Sequence, residues 1–487
     1  MPEASAVDIA KPAEALQAGL WDLLVVGGGI VGAGVARDAA LRGLRVALVE
    51  QRDFAFGTSG RSSRLLHGGI RYLAQGRIGL VREASREKKV LHRIAPHLAE
   101  PLAFVFPTRR RSGWPRWKLG LGVKLYDLLC GGRNLGRSRV LDSRRTCELA
   151  PGLSTAGLTG SVRYYDALTN DARLTIDTLR SARAGGALVA NYARFDNAEF
   201  ESGVWRCRLR CLRSEATFDV AARCVVNATG PWSDRLPNSL TELRLTKGVH
   251  LVVDRSRLPI ADAVVMAEGE RILFAIPWGE RVILGTTDTD YSGPLDAPTC
   301  DDSDMQYVLD VVNESFPAVG LGAGDVISTW AGLRPLVADR RGNPSDISRR
   351  HEVAMNHPGW WDVTGGKLTT YRLMAQETLD DVSRYLGDGQ GKCRTAELPL
   401  AGDGAPPLAS GILPPPVEQE VVADCCRREW AVRLDDVMIR RTSWRYYHPD
   451  HHEVARRAAG WMQAELGWSD ERREQELADY LVATSGT

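Results

Sequence analysis

Near its start the chain passes from a short apolar run through a glycine-rich turn into a helical stretch. Leu23 to Val26 form the apolar run, and Gly27, Gly29 and Gly32 follow with the spacing G-x-G-x-x-G. A second apolar run, RVALV, comes after the helical stretch and ends at Glu50. Strand, glycine turn, helix and strand in this order predict a dinucleotide-binding βαβ unit.

Each glycine of this unit has a physical task. The first permits a tight turn, the second lets a pyrophosphate approach the backbone, and the third lets the helix pack on the strand. The helix N-terminus directs unpaired N–H groups and partial positive charge at the phosphates. Glu50 stands 18 positions after Gly32 and is suited to accept hydrogen bonds from a ribose hydroxyl.

Two later segments decide which dinucleotide the pattern favours. RCVVNATGPWSD (223–234) reads as an apolar strand that ends in Ala-Thr-Gly, and VTGGKLTTYRLMA (363–375) as a glycine turn that leads into a helix. The helix amides of the second segment suit the flavin edge where negative charge develops on reduction. Three separated segments that meet on one cofactor favour FAD over NAD.

Composition narrows the class of protein. The 487 residues are 44% apolar and 25% charged with a net charge of +1, which indicates two or three globular domains and no general affinity for nucleic acid. The nine cysteines include no C-x-x-C pair, and no window approaches the roughly 20 apolar residues of a membrane span. We expect a cytoplasmic protein without a metal site.

The segment TSGRSSRLLHGGIRYL is too polar for a core and unusually basic. Together with GGGIVGAGVARDAALRG, NDARL, NATGPW, KGVHLVV, IPWGE, GTTD, AGLRPL and GGKLTTYR, between about residues 20 and 375, it resembles the quinone-linked, FAD-dependent glycerol-3-phosphate dehydrogenases. The resemblance implies an α/β fold with a discontinuous Rossmann-like FAD-binding domain. It adds an antiparallel β-sheet substrate (cap) domain of the glycine-oxidase/D-amino-acid-oxidase class and a C-terminal helical tail.

We divide the chain accordingly. The FAD-binding domain is expected at 18–75, 156–235 and 330–390, and the substrate domain at 76–155 and 236–329. A Pro/Gly-rich linker is expected at 391–416. The small helical domain expected at 417–487 is shorter than is usual in the family. The dimer contacts of the family therefore do not carry over directly, and both a monomer and a homodimer are left as alternatives. YYHPDHHE (446–453) holds three histidines without a ligand framework and is expected to be a solvent-facing turn.

The resemblance implies a substrate site for a small phosphorylated polyol. His250 takes the position of the base and Arg334 stabilises charge that develops on the substrate oxygen. Arginine and lysine are the usual phosphate partners. The residues expected to bind the substrate are Arg71, Tyr72, Lys367 and Arg349, the last chosen over Arg350.

The cofactor residues come from the three glycine segments and the basic loop. Hydroxyl groups of the loop are expected to bind FAD, the glycine pair to approach its ring, and His67 to contact the flavin without a covalent bond. Arg61 and Arg64 are expected to be structural or surface residues. The FAD-binding set is Gly27, Gly29, Gly32, Glu50, Thr58, Ser59, Ser62, Ser63, His67, Gly68, Gly69, Ala228, Gly230, Gly366, Leu368 and Thr369.

The expected reaction is FAD-dependent oxidation of sn-glycerol 3-phosphate to dihydroxyacetone phosphate, with a quinone as acceptor. The alternative is a flavin oxidase of the same fold that uses oxygen on glycerol 3-phosphate, an amine or an amino acid. Segment 109–137 holds eight basic residues, one acid and two tryptophans. It suits either an interfacial membrane helix or a helix packed on its own domain; the resemblance favours a peripheral position on the cytoplasmic face.

Overall fold

The computed structural model describes residues 12–69, 76–110, 115–130, 134–268, 271–337, 351–387, 391–400 and 407–484. The strands are β1 (Leu20–Val26), β2 (Val46–Val49), β3 (Leu65–Leu66), β4 (Glu100–Arg109), β5 (Arg139–Leu141), β6 (Leu158–Leu168), β7 (Leu188–Ala190), β8 (Ala193–Glu201), β9 (Val204–Cys211), β10 (Thr217–Asn227), β11 (Leu243–Asp254), β12 (Ala263–Glu268), β13 (Arg271–Trp278), β14 (Arg281–Gly285), β15 (Thr289–Asp290), β16 (Val326–Val337), β17 (His351–His357) and β18 (Trp360–Gly365).

The α-helices of the described residues range from about one turn to nearly five. They are α1 (Pro12–Leu16), α2 (Ile30–Leu41), α3 (Ile78–Ile94), α4 (Arg116–Leu129), α5 (Ser143–Leu149), α6 (Asp171–Ala184), α7 (Asp302–Ser315), α8 (Tyr371–Leu386), α9 (Gln419–Arg428), α10 (Trp444–Tyr447), α11 (His451–Leu466) and α12 (Asp470–Thr484). Within these residues, no helix combines the length and the apolar character that a membrane crossing requires.

The first sheet brings the three glycine turns together. Its order β17-β18-β10-β1-β2-β7 places β18, β10, β1 and β2 side by side and parallel. The register aligns Val26 with Asn227 and Asn227 with Asp362, so the chain leaves β1, β10 and β18 at one edge of the sheet. Helices α2, α6 and α8 cover one face, where small and apolar side chains form a common core.

The second sheet carries ten strands in the described part of the chain and is mostly antiparallel. Its longest ladder joins β11 to β16 and pairs His250 with Trp330, Gly248 with Gly332 and Thr246 with Arg334. The predicted base and the predicted arginine therefore lie on neighbouring strands, four residues apart along the ladder. The predicted fold class is confirmed. Domain boundaries stay predictions, although β6, which starts inside our segment 156–235, pairs in this second sheet.

The C-terminal helices pack on the first sheet through buried ion pairs. Asp53, at the end of the βαβ unit, binds Arg440 and Arg441 of a π-helical turn over Asp436–Arg441. Burial alone would raise the pKa of Asp53, but the two guanidinium charges hold it below its ordinary value. Removing either side of such a contact leaves an uncompensated buried charge, so the helical domain is fixed to the body of the protein.

The expected solvent-facing turn at 446–453 is found only in part. Helix α10 ends at Tyr447 and α11 begins at His451, with an exposed turn at Pro449 and Asp450 between them. His451 is buried, and its ring nitrogens bind Tyr480 and Arg445 at 3.0 and 3.2 Å. These partners lie on α10 and α12, and the short polar motif alone gives no sign of either contact.

Candidate active site

A cavity of about 1060 Å³ lies between the two sheets. This is at the upper end of the roughly 300–1,000 Å³ of ordinary ligand sites, so it has room for a cofactor and a small substrate together. The three glycine turns line one end of the cavity and strands β11, β13 and β16 the other.

The first turn has the geometry of a phosphate cradle. Gly27 has φ +114°, and a Cβ on Gly32 would lie 1.9 Å from the Gly27 carbonyl oxygen, so neither position accepts a larger residue. The Glu50 carboxylate accepts from the Gly28 and Arg52 amides at 2.7 and 2.8 Å. Burial raises the pKa of Glu50. This close backbone turn with an acidic residue at the end of β2 fits the diphosphate and ribose of FAD.

The loop His67–Gly69 is supported by a buried ion pair and a tyrosine hydroxyl. Lys88 donates to Asp166 at 2.7 Å, and the Tyr126 hydroxyl donates to the same oxygen at 2.5 Å. The Gly68 amide is 3.0 Å from the Tyr126 hydroxyl and 3.3 Å from Asp166. A Cβ at this glycine would lie 2.2 Å from the Tyr126 hydroxyl oxygen. Gly68 is therefore required for packing under the loop, while Gly69 lines the cavity.

The same loop is joined to the third glycine turn. The His67 amide donates to the Thr369 hydroxyl at 3.0 Å, and that hydroxyl lies 3.2 Å from the His67 carbonyl oxygen. Two cofactor segments that are about 300 residues apart in sequence are thus fixed to one another.

His250 is almost enclosed, with 2% of its surface exposed. Its Nε2 lies 2.8 Å from the Ser63 hydroxyl, and its ring stacks on Trp330 with 5.1 Å between centroids and 19° between planes. Burial, with the nearby charges of Arg334 and Arg64, lowers the pKa of His250 to about 3. The imidazole is therefore neutral at pH 7 and available to accept a proton.

Arg334 crosses the face of the β11 backbone. Its guanidinium donates to the Thr286 hydroxyl at 3.0 Å and to Asp288 at 3.1 Å. A Cβ on Gly248 would lie 2.3 Å from the guanidinium, so the glycine creates the space that Arg334 occupies. A cation fixed in this way can stabilise negative charge on a substrate oxygen without reorganising.

The structure brings most of the expected residues into one cavity, although their individual roles stay predictions. Gly32 and Gly68 pack behind its wall. The hydroxyl of Thr58 donates to Leu333, and that of Ser62 accepts from the Arg64 amide. The expected residues that line the cavity are His250, Arg334, Lys367, Gly27, Gly29, Glu50, Thr58, Ser59, Ser62, Ser63, His67, Gly69, Ala228, Gly230, Gly366, Leu368 and Thr369.

The remaining expected residues are not among the described residues that line the cavity. Arg71, Tyr72 and Arg349 lie outside the described residues. Arg64 is structural, as one of our alternatives held: it is 2% exposed, stacks on Trp278 and donates to Ser443. Sequence reasoning missed the supporting groups Lys88, Tyr126, Asp166, Asp288 and Trp330. Of these, Tyr126 stands in the basic segment 109–137, and Asp288 ends the run GTTD (285–288), a short polar turn after an apolar strand that could have marked it.

This cavity and the parallel sheet beside it define an FAD-dependent oxidoreductase. A family model described as FAD dependent oxidoreductase matches residues 22–372, and one described as the C-terminal domain of alpha-glycerophosphate oxidase matches residues 411–473. The aerobic glycerol-3-phosphate dehydrogenase of Staphylococcus saprophyticus is 38% identical over 398 residues, which cover 78% of this chain and 71% of that protein. The corresponding protein of Staphylococcus aureus (strain USA300) is 37% identical over 395 residues, with the same two shares.

Solved structures of two related enzymes have the same fold as this chain. Glycerol-3-phosphate dehydrogenase from Bacillus halodurans, complexed with FAD, superposes with a TM-score of 0.79 at 28% identity, over 98% of this chain and 97% of that one. L-alpha-glycerophosphate oxidase from Mycoplasma pneumoniae shares the fold, with a TM-score of 0.61 at 18% identity over 77% and 96% of the two chains. The chain belongs to the FAD-dependent glycerol-3-phosphate dehydrogenase family.

Proposed function

We propose that this protein oxidises sn-glycerol 3-phosphate to dihydroxyacetone phosphate and passes the electrons, through FAD, to a quinone. The observation that supports this most strongly is the meeting of Arg334, Lys367 and a neutral His250 in the cavity that the three glycine turns line. Relatives that are 37–38% identical carry the name aerobic glycerol-3-phosphate dehydrogenase.

The basic side chains provide the binding of the phosphate. A dianion that leaves water needs cations around it, and arginine and lysine supply them. Lys367 follows the glycine pair of the third turn and lines the cavity. Arg71, Tyr72 and Arg349 complete the phosphate site in this proposal.

The chemistry removes a proton and a hydride from one carbinol group. Bound FAD would supply the hydride acceptor. The turns after β1, β10 and β18 hold FAD, and Arg334 stabilises the substrate oxygen as its charge grows. The neutral imidazole of His250 receives the hydroxyl proton.

The test is anaerobic reduction of the purified, FAD-loaded protein. Glycerol 3-phosphate should bleach the flavin absorbance rapidly. Arg334→Ala should abolish bleaching while its bound FAD spectrum is retained. Arg244→Ala is the matched control, because Arg244 lies on β11 but pairs with Asp290, and it should bleach like the wild type. Bleaching by an amino acid but not by glycerol 3-phosphate would refute the proposal.

The second candidate function is a glycerol-phosphate oxidase. The match of residues 411–473 to the C-terminal domain of alpha-glycerophosphate oxidase is the observation that favours it. Admitting air to the bleached protein distinguishes the two. A dehydrogenase should reoxidise slowly in air and rapidly with a soluble quinone, whereas rapid reoxidation by oxygen, with formation of peroxide, would identify an oxidase.

The quinone proposal places the protein on the cytoplasmic face of a membrane. Helix α4 buries Leu119, Val123 and Tyr126. A row of apolar side chains on its other side is exposed to solvent. Trp117, Leu121 and Leu128 are 73%, 66% and 68% exposed. Such a row on a basic helix suits an anionic lipid surface. The cationic residues of the helix are Arg116, Lys118 and Lys124.

Co-sedimentation with vesicles tests this placement. We expect binding to vesicles that contain an anionic lipid, weakened by salt and by the double variant Trp117→Ser, Leu121→Ser. Val482→Ser is the matched control, because Val482 is 78% exposed on the distant helix α12. Equal loss of binding in the control, or none in the double variant, would refute a role for α4.

A further inference from the structure

The contact between Ser63 and His250 carries an inference about proton transfer. Both residues line the cavity, but His250 is only 2% exposed, whereas Ser63 is partly buried. The hydroxyl oxygen of Ser63 lies 2.8 Å from Nε2 of His250. A proton that reaches Nε2 from this side of the ring passes through the serine hydroxyl.

The imidazole is held in place from both sides. Trp330 stacks on the ring, and a Cβ on Gly285 would lie 2.8 Å from its Cδ2 atom. The Trp330 indole N–H donates to the carbonyl oxygen of Ser62 at 3.2 Å. The residue that orients His250 is thus bonded to the residue directly before Ser63, so one side chain fixes both members of the pair.

The hydrogen bond between Ser63 and His250 can run in either direction, according to the tautomer of the imidazole. His250 is neutral at pH 7, so one of its ring nitrogens accepts a hydrogen bond. Nδ1 is buried and has no hydrogen-bond partner among the described residues. When the proton is on Nδ1, the Ser63 hydroxyl donates to Nε2. This is the starting state that a relay requires.

We propose that Ser63 is a catalytic proton relay for His250, an inference that rests on the proposed function. The substrate O–H bond breaks and its proton forms a new bond to the Ser63 oxygen. The proton that Ser63 held passes at the same time to Nε2 of His250. Bound FAD would accept the hydride that leaves when the C–H bond breaks, and the carbon–oxygen double bond forms. Ser63 ends as it began, and His250 ends as an imidazolium with one proton more than before.

This role differs from the cofactor contact expected for Ser63 from its loop, and the two lead to different results. A serine that only binds FAD would, when replaced, lower the affinity for FAD and leave the rate of reduction per bound flavin unchanged. A relay serine would, when replaced, lower that rate and leave the affinity for FAD unchanged.

The experiment compares Ser63→Ala, Ser63→Thr and His250→Asn with the wild type, all loaded with FAD. Anaerobic stopped-flow measurements give the rate of flavin reduction at saturating glycerol 3-phosphate. General base catalysis is typically worth about 10²–10⁴-fold. Ser63→Ala should lose at least about 10²-fold, and Ser63→Thr, which keeps a hydroxyl, should recover most of it. Ser63→Ala combined with His250→Asn should be no slower than His250→Asn alone, because the two act as one unit.

The control is Ser256→Ala. Its hydroxyl donates to Asp254 at the far end of β11, outside the cavity, and its rate should equal that of the wild type. A second readout does not depend on activity. The ¹⁵N signal of His250 Nε2 should mark a hydrogen-bonded acceptor in the wild type and in Ser63→Thr, and should move toward that of a free imidazole nitrogen in Ser63→Ala.

Two failures are distinguishable. A wild-type protein that glycerol 3-phosphate does not bleach would overturn the proposed function and the relay with it. A wild-type protein that bleaches, with Ser63→Ala bleaching at the same rate per bound flavin, would overturn the relay alone. An unchanged Nε2 signal in Ser63→Ala would also overturn it.

Discussion

Replacing Gly248 by alanine should misplace Arg334 without unfolding the protein. The new Cβ would lie 2.3 Å from one guanidinium nitrogen and 2.7 Å from the central carbon. Ordinary contacts between such atoms are about 3.5 Å, so the guanidinium must move by roughly 1 Å. Its bonds to Thr286 and Asp288, now 3.0 and 3.1 Å, do not survive a displacement of that size in their present geometry.

A shift of about 1 Å in a positioned catalytic group can lower a rate by about 10²-fold. We expect Gly248→Ala to reduce its flavin at least that much more slowly in anaerobic stopped-flow measurements with glycerol 3-phosphate. Stability should change little, because alanine in a strand is about 0.5–1 kcal/mol better than glycine and the clash is with a movable side-chain end.

The comparison variant is Gly460→Ala, on helix α11, where an added Cβ meets no atom within 4 Å. It should reduce its flavin like the wild type and unfold at a slightly higher denaturant concentration. A Gly248→Ala protein with the wild-type reduction rate would refute the placement of Arg334 above this glycine. A Gly248→Ala protein that fails to fold would refute the claim that the clash is relieved by movement of the Arg334 side chain rather than by distortion of the strand.

Two further predictions concern buried charge. Asp53→Ala leaves Arg440 and Arg441 without their shared partner and should lower the free energy of unfolding by about 3–5 kcal/mol in chemical denaturation; a loss under 1 kcal/mol would contradict the role of this contact. His250 has a pKa of about 3 in the folded protein against an ordinary value of 6.5, so between these values the unfolded chain binds a proton that the native state does not. The wild type should therefore lose more stability than His250→Asn when the pH falls from 7 to 5, and equal losses would contradict the lowered pKa.

The convergence of the cofactor segments could be predicted because each carries a local signature. A glycine turn after an apolar strand is visible in the sequence, and parallel strands end at the same edge of their sheet. Val26, Asn227 and Asp362 are in register, so the three turns that follow them lie at one edge of the sheet although they are about 200 and 135 residues apart in sequence.

The supports of the site could not be predicted in this way. Tyr126 and Lys88 reach Asp166 from two different helices, and nothing in their own segments indicates that they meet. Trp330 is one of 13 tryptophans in the chain, and only the β11–β16 register shows that it faces His250. Ser63 was placed in the FAD site because of its loop. Its distance to His250 depends on the packing of that loop against the second sheet, which local sequence does not encode.

The low pKa of His250 indicates a second task for the substrate's phosphate. A base with a pKa of about 3 is unprotonated at neutral pH, but it holds an acquired proton weakly. Burial is the main cause of this low pKa, and the charge of Arg334 is the second. A dianion bound nearby should offset the charge of Arg334 and raise the pKa of the imidazole, so we expect the phosphate to strengthen the base as well as to bind the substrate. Glycerol, which has the same carbinol and no phosphate, should therefore reduce the flavin more slowly even at saturation, and inorganic phosphate added with it should partly restore the rate. Equal limiting rates for glycerol and glycerol 3-phosphate would show that the phosphate serves binding alone.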